Sequence, residues 1–164
     1  MTVVRRAPAR IRPAVDGDAD AVWRVHTASV RRLCAGWYTE HEIAVWTGRL
    51  VVDAYRRAMQ QHVMVVAERE GVVVGFGELD PARGEIVAVY VRPDATGDGV
   101  GSALLAHLER AAQAAGHRRL TLCASLNAEG FYARRGWRAG GRENHRLTLG
   151  VAVDCVRMDK VLDP

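Results

Sequence analysis

The sequence predicts an α/β domain of the α+β kind: a mixed, mostly antiparallel sheet of six to seven strands flanked by four or five helices. Three observations predict it. Two runs rich in β-branched residues, 62–68 and 72–79, meet at a turn around Glu70-Gly71, and a third run, 85–91, follows after Asp80-Pro81-Ala82-Arg83-Gly84. Apolar residues before these runs recur at helical spacing. A glycine-rich turn then joins the third run to a helical pattern over 100–115.

Taken in order, residues 1–8 read as a flexible tail and 9–164 as a single domain, a length that suits one core at an apolar content of 49%. Ile11 to Val15 reads as a short strand. Asp16, Asp18 and Asp20 place acid at the start of a helix whose buried face carries Ala19, Val22, Trp23, Val25, His26, Val30 and Leu33. Thr39 and Glu42 have the spacing of a capping box, opening a second helix through Ile43 and Trp46, and Val51 to Gln60 suggests a third. The three runs that follow form a meander of strands. Val100, Leu104, Leu105, Leu108, Ala111, Ala112 and Ala115 trace a helix that stops at Gly116, a residue suited to the left-handed position after a helix. Arg119 to Ala124 is a strand and Asn127 to Arg135 a short helix. Leu147 to Leu149 and Val151 to Met158 supply the last strands.

Composition narrows the function. The 23 basic and 19 acidic residues leave a net charge of +4, which favours an anionic ligand but falls short of a nucleic-acid surface. The arginine pairs are dispersed along the chain, with no basic stripe among exposed aromatics and no DNA- or RNA-binding signature, so nucleic acid is not an expected partner. No stretch of about 18 apolar residues exists and Met1 to Arg10 lacks the apolar core of a secretory signal, so the expectation is a soluble cytoplasmic protein with no membrane partner. Cys34, Cys123 and Cys155 are an odd, widely spaced set, read as reduced thiols.

The chemistry concentrates in Val89-Tyr90-Val91-Arg92-Pro93-Asp94-Ala95-Thr96-Gly97-Asp98-Gly99-Val100-Gly101-Ser102. The first N–H groups of a helix lack internal partners and the macrodipole adds positive charge there, which makes an anion site. Glycines at 97, 99 and 101 let a phosphate approach the backbone. A Walker A loop needs Gly-Lys-Ser/Thr, which is missing. A dinucleotide fingerprint needs glycine where Ser102 stands and an acid where Ala124-Ser125 stands. His41-Glu42 begins like a zinc-protease helix, but Val45 occupies the second histidine position, so no metal is expected, and no Gly-x-Ser-x-Gly elbow is present.

Element order and motif together resemble the GNAT superfamily of N-acetyltransferases over Ile11 to Lys160. Val89-Tyr90-Val91-Arg92-Pro93 looks like that superfamily's fourth strand and its exit. Thr96-Gly97-Asp98-Gly99-Val100-Gly101 resembles its acetyl-CoA signature, and Ala128-Glu129-Gly130-Phe131-Tyr132-Ala133-Arg134-Arg135-Gly136-Trp137 its later aromatic segment. Two departures stand out: Thr96 replaces a glutamine or arginine, and Asp98 stands where a basic residue is common, so that a carboxylate faces the pyrophosphate.

The resemblance implies transfer of acetyl from acetyl-CoA to a primary amine of a small molecule, peptide or protein. Tyr132 matches the general acid for the leaving thiolate. Glu85 matches the catalytic glutamate of the histone-acetyltransferase branch, and period-two alternation puts it on the side of Val87, Val89 and Val91; Glu78, or water relayed to either carboxylate, is the other base. The pantetheine arm is expected along the backbone of Val89, Tyr90 and Val91, and the pyrophosphate over residues 96–102. Asn127 contacts the cofactor or caps the helix after it. His145, Trp37, Tyr38 and Trp46 are candidates for the acceptor cleft, or else an exposed histidine and core aromatics. A homodimer through the C-terminal strands is compatible with such folds, and an acyl-CoA sensor without turnover is the alternative to an enzyme.

Overall fold

The computed structural model describes residues 6–148 and 150–164. Strands β1 (Arg10–Pro13), β2 (Val63–Arg69), β3 (Val72–Asp80), β4 (Glu85–Val91), β5 (Arg119–Ser125), β6 (Arg138–Thr148) and β7 (Val151–Val161) form one sheet in the order β1-β2-β3-β4-β5-β7-β6. Helices α1 (Ala19–Leu33), α2 (Glu40–Gly48), α3 (Val52–Gln61), α4 (Val100–Ala114) and α5 (Glu129–Ala133) flank it. Every strand pairing is antiparallel except that of β4 with β5. The fold class and the β2–β3–β4 meander are therefore as expected from sequence.

Local chemistry accounts for the boundaries. Thr39 and Glu42 form the expected reciprocal cap of α2, with Glu42 N–H donating to Thr39 Oγ1 at 3.1 Å and Thr39 N–H to Glu42 Oε2 at 2.8 Å. Gly116 takes φ +92°, and the N–H groups of Gly116 and His117 donate to Gln113 and Ala112, a Schellman ending for α4. The aspartates at 16 and 18 open a single 3-10 turn before α1 begins at Ala19. Asp18 there receives Arg12 through both oxygens at 2.8 and 2.9 Å, and the guanidinium holds its carboxyl below the usual range.

Three expectations are corrected. The strand read at 147–149 begins at Arg138, and Leu149 lies outside the described residues, as do residues 1–5 of the expected tail. β6 is one of the two edge strands, exposed along nearly its whole length, so no apolar alternation marks it. Cys123 and Cys155 are bonded to each other, because adjacent β5 and β7 bring their Cα atoms to 5.7 Å although 32 positions separate them in sequence; Cys34 is a buried free thiol. The third correction concerns Glu85 and comes with the site. No helix among the described residues is long and apolar enough to cross a membrane.

Two cores lie on opposite faces of the sheet. α4 covers one, packing Leu104, Leu105 and Leu108 over Leu79, Ile86, Leu120 and Leu122. It lies so close that a Cβ at Gly77 would stand 2.8 Å from Leu108 Cδ1. α1 and α3 cover the other face, over Met64, Val66, Phe76 and Ala88.

Candidate active site

The sheet is open at its centre. β4 and β5 pair only at Glu85 with Thr121 and Ile86 with Leu122. Beyond those bridges, β4 stays hydrogen-bonded to β3 as far as Val91, while β5 continues against β7. The N–H and C=O groups of β4 that point toward β5 past Ile86 are therefore left without a strand partner.

The register of β3 on β4 shifts between Glu78 and Leu79, where Glu78 faces Ala88 and Leu79 faces Ile86, so Val87 is an extra, bulged residue. The bulge reverses the alternation. Ile86, Val89 and Val91 pack on the α4 face, while Ala88 and Tyr90 pack on the other, so Glu85 does not share a side with Val89 and Val91 as alternation had predicted. Glu85 instead lines a cavity with Glu78 and Tyr90 on the α1–α3 face.

On the α4 face the glycine turn has the expected form. Gly97 and Gly99 both take φ +81°, and the first bond of α4 runs from Ala103 N–H to the Gly99 carbonyl, leaving the amides of Val100, Gly101 and Ser102 without intrahelical acceptors. Gly101 serves packing: a Cβ there would stand 3.2 Å from the Phe131 ring. Thr96 spends its hydroxyl on the Pro93 carbonyl at 2.9 Å. Asp98 is held by Arg69 at 3.1 Å and by Arg6 at 3.5 Å, so its charge is already offset on the protein, a pairing that the sequence did not reveal. Arg135 donates from Nε to Ser102 Oγ at 2.8 Å and sits over Phe131, its Cζ 3.8 Å from the ring centre. Sequence reasoning missed Arg69 and Arg135, because a doublet such as Arg134-Arg135 has the look of a solvated helix face.

Tyr132 comes from α5 on this same side and packs edge-on against Phe131 and Trp137 at 5.0 and 5.9 Å between ring centres. Burial pushes its hydroxyl above the usual tyrosine range, so it keeps its proton at neutral pH. Asn127 caps nothing: the turn at Leu126–Ala128 and α5 have no side-chain cap, and Asn127 Oδ1 accepts from the Cys34 thiol at 3.4 Å.

The cavity on the opposite face holds about 520 Å³. Tyr38, Trp46 and His145 line it, as do both sulfur-bearing residues of the disulfide, whereas Trp37 is 58% exposed and lies elsewhere. Its acidic groups differ in their surroundings. Glu85 lies 3.8 Å from Arg157, which is also 3.8 Å from Glu143. Glu78, 8% exposed, meets His62 Nδ1 at 2.6 Å.

His26 forms part of the cavity wall, its ring tilted against Tyr90 with 4.1 Å between ring centres, with Nδ1 2.9 Å from the Tyr55 hydroxyl and Nε2 buried without a partner among the described residues. Burial lowers its pKa from 6.5 to about 3. The folded state therefore refuses a proton that the unfolded chain accepts. This contribution to stability is complete above pH 6.5 and is lost as pH falls from there toward 3. Urea unfolding should show about 1–2 kcal/mol lost between pH 7 and pH 5, and the His26→Gln variant should flatten that loss.

A family model, that of an acetyltransferase (GNAT) domain, matches residues 34–160. The chain belongs to the GNAT acetyltransferases. A GCN5-related N-acetyltransferase structure from Rhodopseudomonas palustris is similar to this GNAT protein at 31% identity and a TM-score of 0.89, over 99% of this chain and 100% of that one. The PaiA N-acetyltransferase of Thermoplasma acidophilum, solved with coenzyme A, shares the fold at 20% identity and a TM-score of 0.80, over 95% of this chain and all of its own. So does a phosphinothricin acetyltransferase of Sinorhizobium meliloti solved with acetyl-CoA, at 22% identity and a TM-score of 0.69, over 95% and 89% of the two chains. No curated protein matches the sequence. As a GNAT member, the protein is an N-acetyltransferase.

Proposed function

We propose that this GNAT enzyme acetylates a primary amine of a small molecule, peptide or protein, with the two substrates entering from opposite faces of the sheet and meeting at the gap between β4 and β5. The observation that carries this reading is the pairing of that gap with two distinct approaches. One is the row of free amides at the start of α4; the other is the cavity lined by Glu78 and Glu85. Pyrophosphate fits the amides of residues 97–102, with Arg135 and Arg69 as neighbouring cations. The pantetheine arm fits the unpaired edge of β4 at Val89 to Val91, bonding as an added strand would.

The reaction needs a neutral amine, an aligned thioester and a proton for sulfur. A carboxylate of the cavity, Glu85 or Glu78, or a water held by either, takes a proton from the acceptor's ammonium group. The freed lone pair attacks the thioester carbon, the new C–N bond forms and the C–S bond breaks. Tyr132 gives its proton to the departing sulfur and is restored by the second proton that nitrogen loses as the amide forms, so each turnover releases to water only the first proton, the one taken by the carboxylate. The test is thiol release from acetyl-CoA in the presence of a panel of alkyl monoamines, diamines and lysyl peptides. Release that depends on the amine is expected; release no faster than without amine for the whole panel would overturn the reading.

A further inference from the structure

We propose that Glu78 is the carboxylate that receives the acceptor's proton and that His62 is its positioning residue, an assignment that rests on the transferase reading above. Position along the sheet separates the two carboxylates. Glu85 lies where β4 is still bonded to β5, opposite Thr121, and is paired on its other side with Asp80 of β3. Glu78 faces Ala88, past the last bridge at Ile86 and Leu122 and beside the bulged Val87. It is therefore level with the gap, where a thioester threaded through the sheet would meet an amine in the cavity.

Their partners separate them as well. The Glu85 side chain is 27% exposed and shares Arg157 with Glu143, an arrangement of long contacts at the open side of the cavity. The Glu78 side chain is 10% exposed, and a buried carboxylate needs partners to remain there. It has one close partner: Nδ1 of His62 at 2.6 Å from Oε1, a separation that requires a proton between the two atoms. That leaves Oε2 to face the acceptor. His62 is fixed in turn, since its backbone N–H donates to the Ala58 carbonyl at 2.8 Å to end α3, and its Nε2 lies 3.7 Å from Asp80 Oδ2. One carboxylate oxygen is thus locked by a ring held from two sides, and the other is aimed by the same contact.

Kinetics of the full chain with acetyl-CoA and the best amine of the panel test the assignment. Glu78→Gln should lower kcat by about 100-fold with the acetyl-CoA dissociation constant unchanged. His62→Ala should lower kcat by about tenfold or more with KM for acetyl-CoA unchanged, because the carboxylate swings free. His62→Asn, whose amide N–H can replace Nδ1–H, should recover most of that loss, and Glu85→Gln should lower kcat by less than Glu78→Gln does. The assignment is overturned by Glu78→Gln turning over within threefold of the unaltered chain, by a His62→Ala effect confined to KM, or by His62→Asn being as slow as His62→Ala. Absence of amine-dependent thiol release from the unaltered chain overturns the transferase reading and this assignment together, whereas turnover that survives Glu78→Gln overturns the assignment alone.

Discussion

Gly99→Val should weaken acetyl-CoA binding by at least about 100-fold, close to 3 kcal/mol, while Asp98→Ala changes it by less than about threefold. Gly99 holds φ +81° and ψ 6° as the residue preceding α4, a conformation that costs a non-glycine residue about 1–2 kcal/mol and a β-branched one more. Nothing lies within 4 Å of a Cβ built there, so the space is open in the protein and valine would not clash on folding. Its cost falls on the backbone that aims the amides of 100–102, and on the space that a phosphate fills. Asp98 behaves differently because Arg69 and Arg6 already bind its carboxylate. Its removal frees two guanidinium groups beside the anion, which offsets whatever the turn loses. Titration calorimetry of the two variants decides the matter, and equal losses would show that the turn does not work through its backbone.

Tyr132→Phe should lower kcat by about 100-fold and leave the acetyl-CoA dissociation constant and the melting temperature close to unchanged. The ring packs against Phe131 and Trp137, and phenylalanine keeps those contacts. The hydroxyl makes no hydrogen bond among the described residues, so its loss leaves no group behind unpaired. Burial raises its pKa, which keeps the proton on the oxygen through neutral pH, so that the proton is present when sulfur departs. Steady-state rates with saturating amine give the answer. A variant as fast as the unaltered enzyme would remove Tyr132 from the chemistry.

Much of the fold was legible in the sequence because its elements obey local rules. The Thr39–Glu42 box, the Gly116 stop and the β-branched runs of the meander each depend on neighbours within a few residues, and each stands where the pattern put it. The glycine turn was legible for the same reason. What the sequence concealed depends on strand pairing at long range. A single bulged residue at Val87 turned the alternation of β4 over and moved Glu85 to the face opposite Val89. The bond between Cys123 and Cys155, the arginines that hold Asp98 and the contact of His62 with Glu78 all join segments whose proximity only the assembled sheet creates. The part of β6 before Leu147 escaped notice because its residues are exposed and carry no apolar alternation.

The gap between β4 and β5 also bears on how long the folded protein lasts. A central strand with one edge unsatisfied is a fold that lacks a piece, and on the binding mode proposed here the cosubstrate supplies that piece. Ligand that binds only the folded form adds RT ln(1 + [L]/Kd) to stability, about 2.7 kcal/mol at one hundred times the dissociation constant. The supply of activated acetyl groups would then set the resistance of this chain to unfolding and proteolysis as well as its rate of catalysis, so that metabolic scarcity would shorten the enzyme's lifetime along with its output.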